Sequence, residues 1–322
     1  LAIKPTQIRG EESAGMLCSE AELNISESHD GIIILPEGHG FAAGTAATEA
    51  LHRNDVILEL GVTPNRPDAL SHVGVARELS ALLEKRFSRP SFTCAERGAP
   101  IEQTVRVQID ALTECPRYAC RVIDGVQIQP SPAWIQTRLE QCGIRAINNV
   151  VDVTNLVLLE LGHPLHAFDI SKLNKDDDGR VVVKARLAKE KETLETLDGE
   201  NRELSEHDLV IADNSEPIAL AGVMGGAQSE VSEGTTHILL EAAYFQPASV
   251  RKTAKRHGLH TEASHRFERG CDPEAALWAL ERASALILTL CPTASVDRGV
   301  VDVYPEPLPL REVSLRYQRL LD

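Results

Sequence analysis

From Ile101 to about Val303 the sequence alternates strand-like and helix-like apolar patterns without interruption, and this alternation constrains the fold more than any other feature. It predicts a mixed α/β domain of roughly 200 residues. Thr104–Ile109 and Tyr118–Ile128 read as strands; Ser131-Pro132 then opens a helix with a cap and a proline at its first position, and Gly143 closes it. A second helix runs from Val150 to Leu161. Val181–Ala185, Leu194–Leu204 around the Asp198-Gly199 turn, Asp208–Ala212, Pro217–Ala221 and His237–Ala243 form a run of short strands between tight turns. Such short connections favour antiparallel pairing, so the expected class is α/β of the α+β kind, a central mixed, largely antiparallel sheet with helices. A helix from Pro247 to His257, stopped by Gly258, and a long amphipathic helix capped by Asp272 with Pro273 at its first position complete the domain.

The flanks carry weaker patterns. Residues 1–35 are short apolar stretches broken by Gly10, Gly15 and Gly31, which suggests strands and turns from the end of a small β domain. Asp55–Leu60 alternates like a strand, and the Pro-rich turn Thr63–Asp68 leads into a helix expected to run to about Lys85 with Asp68 as its N-cap. Residues 88–100 read as a linker. The chain opens at Leu1 without methionine and closes on Leu320-Leu321-Asp322, as expected of a segment of a longer protein. No internal repeat is visible. Thirty-three Lys and Arg against 48 Asp and Glu leave a net charge of −15, which argues against a protein that coats nucleic acid; any RNA contact must be local. The seven cysteines are odd in number and include no CxxC pair, a usage that fits reduced thiols and a cytoplasmic location better than a disulfide or zinc framework. No apolar run approaches the roughly 20 residues of a membrane-spanning helix, so no membrane association is expected.

Four stretches could carry chemistry. His163-Pro-Leu-His166-Ala-Phe-Asp169 places two histidines and an aspartate after a helix ended by Gly162, in an expected loop; His166 is the candidate catalytic residue, and Asp169 either orients it or caps the next turn. Ala219–Gly226 sets a strand against a glycine pair, which lets a ligand approach the main chain, although the lysine of a phosphate loop is missing. Glu241 stands in the apolar run His237–Phe245, where burying a carboxylate is costly unless something binds it. Facing a pocket it would accept a hydrogen bond from a substrate hydroxyl; on an exposed strand it would simply face solvent. Arg251–Arg269 is the one strongly basic stretch, and Arg251, Lys252, Lys255 and Arg256 are candidate contacts to an RNA backbone. His257, His260 and His265 within it match no standard metal-ligand spacing, so no metal site is expected.

Five motifs in order, Arg9–Ser19, Val62–Asp68, Gly143–Asn155, His163–Asp169 and Arg256–Gly270, resemble the bacterial-type phenylalanyl-tRNA synthetase β subunit over essentially the whole chain. The resemblance implies an internal fragment: residues 1–35 as the C-terminal part of an OB-fold tRNA-binding domain, 36–100 as a small linking helical domain and linker, 101–303 as the central tRNA-editing domain, and 304–322 as a linker and the start of a winged-helix-like domain. It also implies hydrolysis of mischarged Tyr-tRNA(Phe), with His166 positioning or activating water and Glu241 recognising the tyrosyl hydroxyl. Thr154, Asn155, Gly225, Thr261 and Ala263 would shape the pocket. The implied partners are tRNA(Phe) and the α subunit of an α2β2 enzyme, without any DNA. ATP and magnesium would serve that parent enzyme, and the fragment itself would need no cofactor. A non-catalytic module binding tRNA and the α subunit, and a metal-dependent hydrolase built on the histidine-rich stretch, are the competing expectations.

Overall fold

In the computed structural model, residues 5–23, 25, 29–35, 40–51, 53–310 and 312–321 are described. Parts of the flanking segments read from sequence (1–4, 24, 26–28, 36–39, 52, 311 and 322) lie outside the described residues. The chain divides into two units, Leu1–Ile57 and Leu58–Asp322. The first contains an antiparallel pair, β1 (Thr6–Ile8) and β2 (Glu11–Ser13), and a short helix α1 (Ala47–Ala50).

The first α-helix of the second unit is α2 (His72–Leu82). Its N-cap is Ser71, whose hydroxyl accepts from the Gly74 N–H at 3.0 Å, and not Asp68 as expected. Asp68 instead takes a two-pronged contact from Arg66, at 3.0 Å on each oxygen, within a preceding 3-10 turn. No strand forms over Asp55–Leu60: Val56 and Leu58 are 78% and 75% exposed, and no described strand pairs with them. Alternation marks a strand only when a neighbour supplies the ladder hydrogen bonds.

Two sheets follow. One carries β3 (Glu96–Pro100), β5 (Arg117–Asp124), β6 (His166–Asp169), β13 (His237–Tyr244), β14 (Ser295–Arg298) and β15 (Val301–Val303), in the order β3-β14-β5-β13-β6 with β15 also on β5. The other carries β4 (Val105–Ile109), β7 (Val181–Leu187), β10 (Leu209–Ala212), β11 (Pro217–Leu220) and β12 (Met224–Gly225), in the order β12-β11-β10-β7-β4. The β4–β7 and β3–β14 pairs are parallel and the other pairs antiparallel, so the mixed, largely antiparallel class expected from sequence holds. A separate hairpin of β8 (Thr193–Glu195) and β9 (Asn201–Glu203) turns at Gly199.

The helices are α3 (Ala133–Gln141), α4 (Asn149–Leu161), α5 (Pro247–His257), α6 (Glu262–Phe267), α7 (Ala275–Leu290) and α8 (Gln318–Leu321). Asn148 caps α4, and Gly162 and Gly258, both left-handed, end α4 and α5. The long helix α7 is regular from Ala275, and Asp272 caps the turn that leads into it by accepting from the Glu274 N–H at 2.9 Å.

Strand β13 sits between two cores. Leu239 and Ala243 face the space between the sheets with Tyr118, Cys120, Phe168, Val183, Ile211 and Leu220; Ile238, Leu240 and Ala242 face Val153, Val157, Ala279 and Leu280 of the helices. A strand buried on both faces must be apolar at every position, which is why the run around Glu241 shows no alternation. By its odd position Glu241 belongs to the inter-sheet face.

Candidate functional site

The short strand β6 is the edge of its sheet, and β12 is the edge of the other. Between these edges, closed by α4 and the start of α6, lies a cavity of about 340 Å³. His166, Glu241, Thr154, Asn155, Gly225, Thr261 and Ala263 all line it. Segments from seven separate parts of the chain therefore converge on one concave site, with Phe245 and Phe267 packed edge-to-face at 5.0 Å in its wall. Ile147 and Leu197, 64% and 42% exposed, extend the lining outwards. This is the character of a small-molecule pocket: apolar walls with a few convergent polar groups.

His166 lies on a strand and not in the loop expected from sequence. The four residues of β6 become a strand only because β13 offers a free edge, and in that register His166 stands directly opposite Glu241. Residues opposed in this way carry their Cβ atoms about 5 Å apart on one face. The imidazole packs at 4.4 Å, edge-on, against Phe168. Burial pushes its pKa down to about 4, so the ring is neutral near pH 7, and its Nε2 has no protein partner. Gly225 lies flat against it: a Cβ there would come within 2.5 Å of Cε1 and 2.8 Å of Nε2. The glycine is required by the ring and not by its own backbone conformation. Asp169 does not reach His166; its carboxylate accepts from the Ser171 N–H and hydroxyl at 3.0 and 2.6 Å and from the Thr235 hydroxyl at 2.7 Å, so it caps the following turn.

Glu241 is 7% exposed, which excludes the solvent-facing alternative. Burial lifts its carboxyl to about 7, against one opposing contact, a hydrogen bond donated by the Tyr118 hydroxyl to Oε2 at 2.7 Å. Tyr118 is fully buried and absent from the sequence-derived candidates. A phenol buried in a strand needs a partner for its hydroxyl, which was the available signal, but the sequence could not say that the partner lies 123 residues away.

The two threonines have committed their protons. Thr154 donates to the Val151 carbonyl at 2.7 Å, and Thr261 donates to the Val223 carbonyl at 2.9 Å while accepting from the Ser264 N–H at 3.0 Å. Thr261 thus caps α6 and ties it to the glycine turn. The basic stretch is not a single helix: it contains α5, the Gly258 stop and α6. On α5, Arg251, Lys252, Lys255 and Arg256 are all exposed, and Arg256 is in addition bonded to the buried Asp208 beside His257 and Thr253. His260 and His265 stack edge-on at 5.4 Å, and among the described residues no group of three His, Cys, Asp or Glu side chains could hold a metal ion.

Residues 114–292 match the B3/4 domain family. The phenylalanine–tRNA ligase β subunit of Anaeromyxobacter dehalogenans is 51% identical over 317 residues, covering 98% of this chain and 39% of the relative. That of Geobacter sulfurreducens is 50% identical with the same coverage, so the chain spans well under half the length of either protein. A solved N-terminal fragment of the phenylalanyl-tRNA synthetase β subunit from Pyrococcus horikoshii aligns over 83% of this chain and 74% of that one, at 15% identity and a TM-score of 0.42.

Proposed function

The chain belongs to the B3/4 domain family, and from that membership and the geometry of the cavity we propose that it hydrolyses Tyr-tRNA(Phe), releasing tyrosine from a wrongly charged tRNA. The carrying observation is the placement of a buried carboxylate, Glu241, directly opposite a neutral histidine, His166, whose Nε2 is without a protein partner, in one cavity. Tyrosine differs from phenylalanine by one hydroxyl. A buried carboxylate oxygen left without a hydroxyl donor is penalised, so the site rejects phenylalanine and retains tyrosine.

Hydrolysis adds water oxygen to the ester carbonyl carbon, breaks the bond to the ribose oxygen, and delivers a proton to that oxygen. A histidine with pKa about 4 is a feeble base, and its free Nε2 suits holding the water in line better than removing its proton. The vicinal ribose hydroxyl of the tRNA end can carry that proton. Thr154, Asn155, Thr261 and Ala263 wall the space for the aminoacyl-adenosine end, and Gly225 keeps the imidazole in place.

In this proposal the chain is part of an α2β2 cytoplasmic enzyme whose α subunit carries ligation, with ATP and magnesium used there. The four-part organisation expected from sequence (1–35, 36–100, 101–303 and 304–322) belongs to the same proposal. Arg251, Lys252 and Lys255 on α5 supply the local contact to tRNA backbone.

Deacylation of Tyr-tRNA(Phe) and Phe-tRNA(Phe), measured with and without chelator, tests this in the αβ enzyme carrying the chain. Tyrosine release should be chelator-resistant, fall about 100-fold or more in His166→Ala, and lose its preference over phenylalanine in Glu241→Ala. Gly225→Ala should resemble His166→Ala, since its methyl displaces the ring. Absence of tyrosine release from the unmodified αβ enzyme sinks the proposal.

A further inference from the structure

Beneath Glu241 lies a tyrosine of the protein itself. Tyr118 stands on β5 opposite Ala243, one diagonal step from Glu241 on the same face of the sheet. Its side chain has no exposed surface, and its hydroxyl gives its proton to Glu241 Oε2 at 2.7 Å. The phenol therefore occupies one of the two carboxylate oxygens from the side away from the β6 edge, leaving the other for a ligand. The titratable side chains packed with the carboxylate between the sheets, Cys115, Cys120, Tyr118 and His166, are neutral near pH 7, while Glu230 and Glu262 also line the cavity. Burial holds the thiols of Cys115 and Cys120 and the phenol of Tyr118 well above their ordinary values, and holds the opposed His166 below its own. Glu241 is the group in this cluster that titrates near neutrality, and Tyr118 is its protein hydrogen-bond donor.

We propose that Tyr118 is a positioning residue for selection of the substrate hydroxyl: its phenol fixes the Glu241 carboxylate and favours its ionised form, so that one free oxygen accepts the tyrosyl O–H. The inference rests on the hydrolysis of Tyr-tRNA(Phe) proposed for this cavity. It accounts for a feature that a passive apolar wall leaves unexplained, a buried phenol aimed at a buried carboxylate on the face the sheet turns to its apolar core. Removing the hydroxyl takes away a charge-assisted hydrogen bond, so the carboxyl should be driven further toward its protonated form.

The test is Tyr118→Phe in the αβ enzyme, which keeps the ring and its packing. kcat/KM for release of tyrosine should fall about tenfold, its acid limb should move to higher pH, and the preference for tyrosine over phenylalanine should narrow. Adding Tyr118→Phe to Glu241→Gln should cost nothing further, because the two side chains act as one unit. Infrared titration of the Glu241 carboxyl, located by its loss in Glu241→Gln, reads the coupling independently of activity and should move upward in Tyr118→Phe. An unmoved titration, or an unchanged preference for tyrosine and an unchanged pH limb, overturns the role of Tyr118. A titration that moves in an enzyme whose wild type releases no tyrosine would defeat the hydrolysis proposal while leaving the Tyr118–Glu241 coupling in place. A fall in release of both amino acids alike, with the titration and pH limb fixed, marks a purely structural tyrosine and also overturns the inference.

Discussion

The two residues facing each other across β6 and β13 pull stability in opposite directions with pH. His166 has a folded-state pKa of about 4, below the ordinary 6.5, so the unfolded chain binds more protons between these values and stability is lost as pH falls through that window. Glu241 has a folded-state pKa of about 7, above the ordinary 4.5; its folded form binds more protons, and stability is lost as pH rises from 4.5 through 7. The second effect gives a direct check. Glu241→Gln keeps an acceptor for Tyr118 and removes the buried charge, so it should be more stable than the parent at pH 8 by up to about 3 kcal/mol, and nearly equal to it at pH 5. Denaturant unfolding at the two pH values measures the difference, and an advantage independent of pH would contradict a carboxyl raised by burial. The same residue would then join a stability gain to a loss of tyrosine selection, as expected where a strained group serves function.

At the scale of elements, α5 is held by one carboxylate. Asp208, immediately before β10 and fully buried, accepts from the Thr253 hydroxyl at 3.0 Å and from His257 at 2.9 Å, and is paired with Arg256. Burial alone would push this carboxyl up; the Ser205 N–H, His257 and Thr253 outweigh it and hold it below its ordinary value. The stability it confers is present above the ordinary carboxylate range and disappears as pH falls through the lowered pKa. Asp208→Asn should cost about 3 kcal/mol at pH 7 and flatten the acid limb of the unfolding profile, because a partner cation loses its buried counter-charge. Unchanged stability at pH 7 would mean that α5 is held by Val250 and Ala254 in the core instead. In the proposed function this anchor would matter because α5 leads through Gly258 into α6, whose cap Thr261 lines the cavity.

For the whole molecule, a net charge of −15 means that the proposed affinity for an RNA backbone would have to come from a small positive patch. With Arg256 committed to Asp208, the exposed cations of α5 that remain are Arg251, Lys252 and Lys255. Replacing all three by Gln should make the plot of log affinity for tRNA against log salt shallower by roughly 2 to 3 units, the slope of about three phosphate contacts. A slope unaltered in the triple variant would place the tRNA contact elsewhere. The sequence by itself determined most element positions and singled out His166, Glu241 and the glycine turn, whereas Thr154 and Asn155 entered only through the family resemblance. Periodicity, the Gly162 and Gly258 stops and the unrelieved apolar run around Glu241 are local properties, legible without knowing any partner. Tertiary structure alone decided that His166 lies on an edge strand, that Glu241 faces it, that Tyr118 reaches Glu241 across 123 residues, and that Arg256 turns inward to Asp208. The physical reason is that strand register and burial are set by pairing between distant segments. A one-residue shift of β6 against β13 would place the same histidine on the opposite face, with no change in any local signal.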